Sequence, residues 1–148
     1  MIIAIGSDHG GFVLKQCLVT TLKKQGYTII DCGTDSAAPV DYPDVVLPVC
    51  RNVLAKKADF GILICGTGIG VSIAASKVDG IRAALCGTEY AARMARSHND
   101  ANVLALGGRI LGDQFALAIV SAFIEEPFSG EDRHKRRIAK MMDLEKGT

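Results

Sequence analysis

Five short runs of this chain are apolar almost from end to end, at 2–5, 27–32, 60–65, 81–86 and 102–106. Longer stretches of helical character separate them, at 12–25, 45–57, 69–77, 88–97 and 112–126, and a charged helix closes the chain at about 131–145. A strand that is apolar on both sides needs cover on both faces, and strands alternating with helices supply it in a parallel sheet. The pattern predicts an α/β fold: a three-layer, doubly wound, Rossmann-like sheet of about five parallel strands with a C-terminal helix. With 148 residues the chain suits one domain over 1–148, large enough to bury roughly 68–70% of its unfolded surface.

Composition narrows the function classes. At 49% hydrophobic and 22% charged residues the chain is globular, and a net charge of +1 offers no global attraction to nucleic acid or an anionic membrane. No apolar run reaches membrane-spanning length, and the start lacks a basic segment followed by a cleavage site. The five cysteines, at 17, 32, 50, 65 and 86, are odd in number and lack C-x-x-C spacing. This predicts free thiols in a reducing, cytoplasmic setting rather than a disulfide framework or a zinc site. Cys17 and Cys50 read as small buried apolar residues.

Ligands of open α/β sheets bind outside the carboxyl ends of the strands. The third run ends Ile64-Cys65-Gly66-Thr67-Gly68-Ile69-Gly70 and leads directly into a helix. Loop N–H groups at the start of a helix suit an anion or a developing oxyanion, and a cysteine there has its thiolate favoured. Cys32 and Cys86 are each followed by only one glycine, so Cys65 is the preferred chemical candidate, with core packing as the alternative.

The first run is followed by Asp8-His9-Gly10-Gly11, which reads either as an acid–base pair or as a helix cap with a packed histidine. The fifth is followed by Gly107-Gly108-Arg109. His98-Asn99-Asp100 falls in the loop before the fifth strand, on the sheet edge opposite Cys65. It is either a surface loop or a contribution to another copy of the chain. Arg133 and Arg137 lie four apart in a basic run, on one helix face, and two adjacent guanidiniums suit a phosphate if the run is more than a solvated surface.

Several motifs are absent. The loop at 66–70 lacks the next glycine of a dinucleotide fingerprint, which would fall where Val71 stands, and no Gly-Lys-Ser/Thr follows it. The three histidines are scattered and form no H-E-x-x-H, so no metal site is expected.

Taken together, Gly6-Ser7-Asp8-His9-Gly10-Gly11-Phe12, Asp41-Tyr42-Pro43, the 64–70 segment, Ser72-Ile73-Ala74-Ala75, Gly80-Ile81-Arg82-Ala83-Ala84, His98-Asn99-Asp100-Ala101-Asn102-Val103-Leu104-Ala105 and Arg133-His134 resemble the ribose/galactose phosphate-isomerase family, in its type B ribose-5-phosphate isomerase branch. The resemblance implies an aldose–ketose isomerase of the pentose phosphate pathway that needs no metal or cofactor. It casts Cys65 as the base between C1 and C2. The loop Gly66, Thr67, Gly68, Ile69 and Gly70 holds the enediolate oxygen, and His98 opens the sugar ring. Asp8, His9 and Tyr42 are placed at the sugar, and Asn99, Arg109, Arg133 and Arg137 as binding residues, the arginines chiefly for phosphate. The resemblance also implies a homodimer with shared sites, extending to a tetramer as an alternative.

Two departures stand out. Gly130-Glu131-Asp132 before Arg133 is one residue longer and more acidic than usual, and Val71 occupies the position where another branch carries a glutamate base. The alternatives are an isomerase of a six-carbon sugar phosphate, a non-catalytic sugar-phosphate or nucleotide-binding module, and a basic-helix nucleic-acid binder. The last fits poorly, because the basic run carries no aromatic residue.

Overall fold

The computed structural model describes residues 1–147. Five strands, β1 (Ile2–Ser7), β2 (Thr28–Asp31), β3 (Phe60–Cys65), β4 (Ala83–Leu85) and β5 (Val103–Gly107), form one sheet in the order β2-β1-β3-β5-β4, every pairing parallel. The helices are α1 (Phe12–Lys24), α2 (Tyr42–Leu54), α3 (Ile69–Ala75), α4 (Glu89–Asn99), α5 (Asp113–Glu125) and α6 (Asp132–Asp143), followed by a short 3-10 turn over Leu144–Lys146. No helix among the described residues is long and apolar enough to cross a membrane.

Alternation along each strand feeds two cores. Ile3, Ile5, Ile62, Ile64, Leu104 and Leu106 face α1, α4 and α5, where Leu14, Leu18, Leu22, Ile119 and Phe123 meet them. Ala4, Leu63, Cys65, Val103 and Ala105 face α2 and α3, against Val46, Val49, Cys50, Val53 and Val71. The sheet is thus doubly wound, and the chain reverses its direction of travel between β1 and β3, where a ligand crevice belongs.

Boundaries differ from expectation where local chemistry intervenes. α2 begins at Tyr42 rather than 45, because Pro43 fits a first helical turn, and Pro48 is accommodated inside the helix. β4 is shortened to three residues, since Ile81 closes a turn onto the carbonyl of Val78. α4 runs on through His98 and Asn99 and ends at Asp100, whose φ is 45°, so these two residues occupy a last helical turn and not a loop. Cys17 is only half-buried, whereas Cys50 is fully enclosed.

Three loops at the carboxyl edge interlock through bare backbone. A Cβ on Gly11 would lie 2.6 Å from the carbonyl oxygen of Ile64, and one on Gly108 would lie 2.8 Å from the carbonyl oxygen of Gly10. Gly108 N–H donates to the carbonyl of Cys65 at 2.8 Å, and Asp8 N–H to that of Ile64 at 3.1 Å. Gly11 has an ordinary φ of −104°, so its constraint is steric alone. Gly11→Ala is expected to cost about 1–3 kcal/mol through forced separation of the loops, read as a lowered Tm in thermal unfolding. An unchanged Tm would show that the loops are free to part.

Candidate active site

The crevice between β1 and β3 collects one group of the expected residues. Asp8 is buried, and its Oδ1 accepts the N–H of Gly11 at 3.1 Å. The carboxylate therefore braces the turn into α1 as well as lining the crevice. His9 Nδ1 accepts the N–H of Val40 at 3.3 Å, which leaves the neutral ring its proton on Nε2. That bond ties His9 to the loop leading to Tyr42, whose ring lies over Gly70: a Cβ there would meet it at 2.8 Å. The Arg109 guanidinium lies over Gly66 in the same manner, 3.3 Å from the position a Cβ would take, and the backbone N–H of Arg109 donates to the Gly66 carbonyl at 3.0 Å.

Cys65 Sγ accepts the N–H of Gly68 at 3.1 Å. Gly68 has φ +80°, a conformation that glycine adopts without cost and that turns its N–H back onto the sulfur. The N–H of Ile69 is taken by Thr67 Oγ1 at 3.3 Å, which leaves the Thr67 hydroxyl hydrogen free to donate. Cys17, Cys32, Cys50 and Cys86 sit in environments that favour the neutral thiol. Burial pushes Cys50 and Cys86 up to about 11, and burial, helped by Asp31 and Asp113 respectively, raises Cys32 and Cys17.

The remaining expected residues lie elsewhere. His98 and Asn99 end α4, which enters β5 at its amino end, on the edge opposite Cys65. α6 packs beside them and carries Arg133 and Arg137. Arg133 Nε pairs with Glu131 Oε2 at 2.7 Å, so part of the acidic extension before α6 is spent on that arginine. The candidate residues therefore fall into two clusters: Asp8, His9, Tyr42, the 66–70 loop and Arg109 in one, and His98, Asn99, Arg133 and Arg137 in the other.

A further residue joins the second cluster. His134 is buried, its ring centroid is 4.4 Å from that of His98, and its Nδ1 lies 2.6 Å from Ser129 Oγ. The spacing 134, 138 and 141 places it with Ile138 and Met141 on one helical face, a signal available in the sequence. Burial lowers the His134 pKa from the ordinary 6.5, His98 and Arg133 push the same way, and Glu131 opposes them. The unfolded chain therefore binds this proton more readily than the folded one. The resulting stabilisation is complete above the ordinary histidine value and is lost as pH falls below it. The wild-type Tm is expected to fall between about pH 7.5 and about pH 5, and His134→Gln to flatten that fall, as checked by thermal unfolding across the range.

The ribose/galactose isomerase family model matches residues 3–141. Ribose-5-phosphate isomerase B of Escherichia coli (strain K12) is 45% identical over 143 residues, covering 97% of this chain and 95% of the relative. The structure of Clostridium thermocellum ribose-5-phosphate isomerase B is 53% identical, with a TM-score of 0.96 over 99% of this chain and 98% of that one. The Mycoplasma genitalium ribose-5-phosphate isomerase B structure, with bound ribulose 5-phosphate, is 43% identical, with a TM-score of 0.92 over 99% and 97%. With these likenesses along almost its whole length and the glycine-lined crevice at Cys65, the chain belongs to the ribose/galactose isomerase family.

Proposed function

We propose that this chain interconverts ribose 5-phosphate and ribulose 5-phosphate by moving a proton between C1 and C2 through an enediolate. The observation that carries this reading is the likeness along the whole chain to the Mycoplasma genitalium structure with ribulose 5-phosphate bound. The crevice supplies matching chemistry.

In the open-chain aldose phosphate, the Cys65 thiolate takes the proton from C2. The C–H electrons form the C1=C2 bond, and the carbonyl pair moves onto O1. N–H groups of the 66–70 loop not already engaged, with the Thr67 hydroxyl, stabilise that oxygen, typically by a few kcal/mol per donor. Moving the hydroxyl proton from O2 to O1 and returning the thiol proton to C1 gives the ketose, with no net change in electrons. Asp8, His9 and Tyr42 orient the sugar hydroxyls. His98 is the acid–base group that opens the furanose, an imidazole being suited to proton transfer near neutral pH. Arg109, Arg133 and Arg137, with Asn99, hold the phosphate end, and this anchoring restricts the reacting carbons to a productive geometry.

The two clusters, read as half-sites on opposite edges of one sheet, support a homodimer in which Cys65 of one copy faces His98 of the other. Free thiols at all five cysteines support a cytoplasmic setting.

Turnover of ribose 5-phosphate in the presence of EDTA is expected for the wild type and is expected to be lost in Cys65→Ala. Near-normal turnover by Cys65→Ala would remove the cysteine from the mechanism. Mixing the inactive Cys65→Ala and His98→Ala chains under conditions that exchange subunits should restore about a quarter of wild-type activity, since half the dimers are mixed and each has one intact site. No recovery would sink the shared-site dimer.

A further inference from the structure

Resting on the reaction proposed above, we propose that Arg82 is a positioning residue. It locks the end of α4, which carries His98 and Asn99, to α6, which carries Arg133 and Arg137, and so keeps the sugar and phosphate contacts of that half-site in register.

Arg82 stands just before β4, and its backbone is fixed on both sides. Its N–H donates to Asn102 Oδ1 at 2.8 Å, and its carbonyl accepts the N–H of Asn102 at 3.1 Å. From this fixed root the guanidinium reaches the terminus of α4. Nε donates to the carbonyls of Asn99 and Asp100 at 3.1 and 2.9 Å, groups that a helix end leaves without intrahelical partners. Nη2 lies 3.3 Å from Asp100 Oδ2, while Arg96 Nη1 holds the other carboxylate oxygen at 2.7 Å. Two guanidiniums thus secure a left-handed aspartate directly after His98-Asn99. A planar fork suits this set of acceptors, and an ammonium does not.

The same side chain reaches α6, with Nη1 3.8 Å from Met142 Sδ. Two residues earlier, the N–H of Gly80 donates to Glu145 Oε1 at 2.9 Å. α6 buries only His134, so its orientation depends on few points. The His98–His134 stack holds its beginning, the Arg82–Met142 contact holds its end, and the Gly80–Glu145 bond holds the 3-10 turn that follows. Arg82 and Met142 also share the wall of a cleft of about 580 Å³ with Asn99. None of the Arg82 contacts involves the residues placed at the sugar by side chain, so it acts through the elements that carry them.

The test compares wild type, Arg82→Lys and Met142→Ala. In Arg82→Lys, kcat/KM for ribose 5-phosphate is expected to fall about ten- to a hundredfold, the scale of a small misplacement. The inhibition constant of inorganic phosphate should change less than about twofold, because Arg133 and Arg137 share one helix. The chain has three histidines, so their ring C2 protons can be resolved by NMR. Those of His98 and His134 should shift in the variant, and that of His9, in the other half-site, should not. Met142→Ala, which removes only the α6 contact, should change the same signals and rate in the same direction by less, and it decides the matter if Arg82→Lys does not fold. Unchanged kcat/KM, or unmoved His98 and His134 signals, would overturn the proposal. So would phosphate inhibition weakening in step with kcat/KM, which would mean that α6 had simply come loose. If the wild type does not turn over ribose 5-phosphate, the proposed reaction falls, and the histidine signals alone still decide whether Arg82 positions these elements.

Discussion

Backbone against backbone, with no side chain between, is the contact on which the rest of this structure depends. The loops after β1, β3 and β5 touch through Gly11 and Ile64, Gly108 and Gly10, and the Gly108 N–H to the Cys65 carbonyl. Such approach leaves little freedom in the loop that turns the Gly68 N–H onto Cys65 Sγ. The polar groups of the crevice are held by the same frame. Asp8 braces the α1 turn, His9 accepts from Val40, and Arg109 follows directly from Gly108. Farther out, the fully buried Lys15 pairs with Asp31 at 2.5 Å, and Asp31 also accepts the N–H of Gly33. The Gly33 carbonyl in turn accepts the N–H of Ser7, so the first loop is anchored on its outer side as well. A buried ion pair adds little net stability compared with well-packed apolar residues, so fixing geometry is the more economical account of it.

The cluster around His98 is built differently. Its residues ride on helices, α4 and α6, and charge networks fix the ends of those helices. Arg96 stacks over Phe60 at 4.6 Å and reaches both Asp100 and the Ala101 carbonyl, so the amino edge of the sheet grips α4 through one side chain. The Cys65 cluster therefore rests on steric exclusion together with short-range hydrogen bonds, and the His98 cluster chiefly on charged side chains. The two should respond differently to ionic strength and to pH.

The sheet and its helices were legible because wholly apolar strands leave few alternatives. Cys65 stood out because, among the cysteines at strand ends, it alone was followed by several glycines and a helix, and His98 was correctly assigned to the far edge from chain order alone. The misplaced boundaries have local causes. A proline in a first turn moved the start of α2 forward, and the turn at Ile81 took residues from β4. Asp100, by accepting a left-handed conformation, let α4 run two residues farther than its apolar pattern. His134 was masked by its charged neighbours: a histidine in a basic run reads as surface unless helical spacing is followed. The work of Arg82 was not legible at all, because it depends on carbonyls at 99 and 100 and a sulfur at 142 that only the folded chain brings within reach.

Both outer strands of the sheet are short, β2 with four residues and β4 with three. A long, open edge strand is a template on which further chains can add by strand pairing. Here neither margin offers more than a few free backbone groups, so a growing ladder of sheets has no adequate starting point. Most of the exposed large apolar side chains are carried on helices and loops, among them Ile69, Ile73, Tyr90, Ile110 and Phe115, with Ile2 on β1 and Leu85 on β4 the strand residues among them. Self-association by this chain is thereby steered toward closed, side-chain-mediated contacts and away from open-ended fibrous growth.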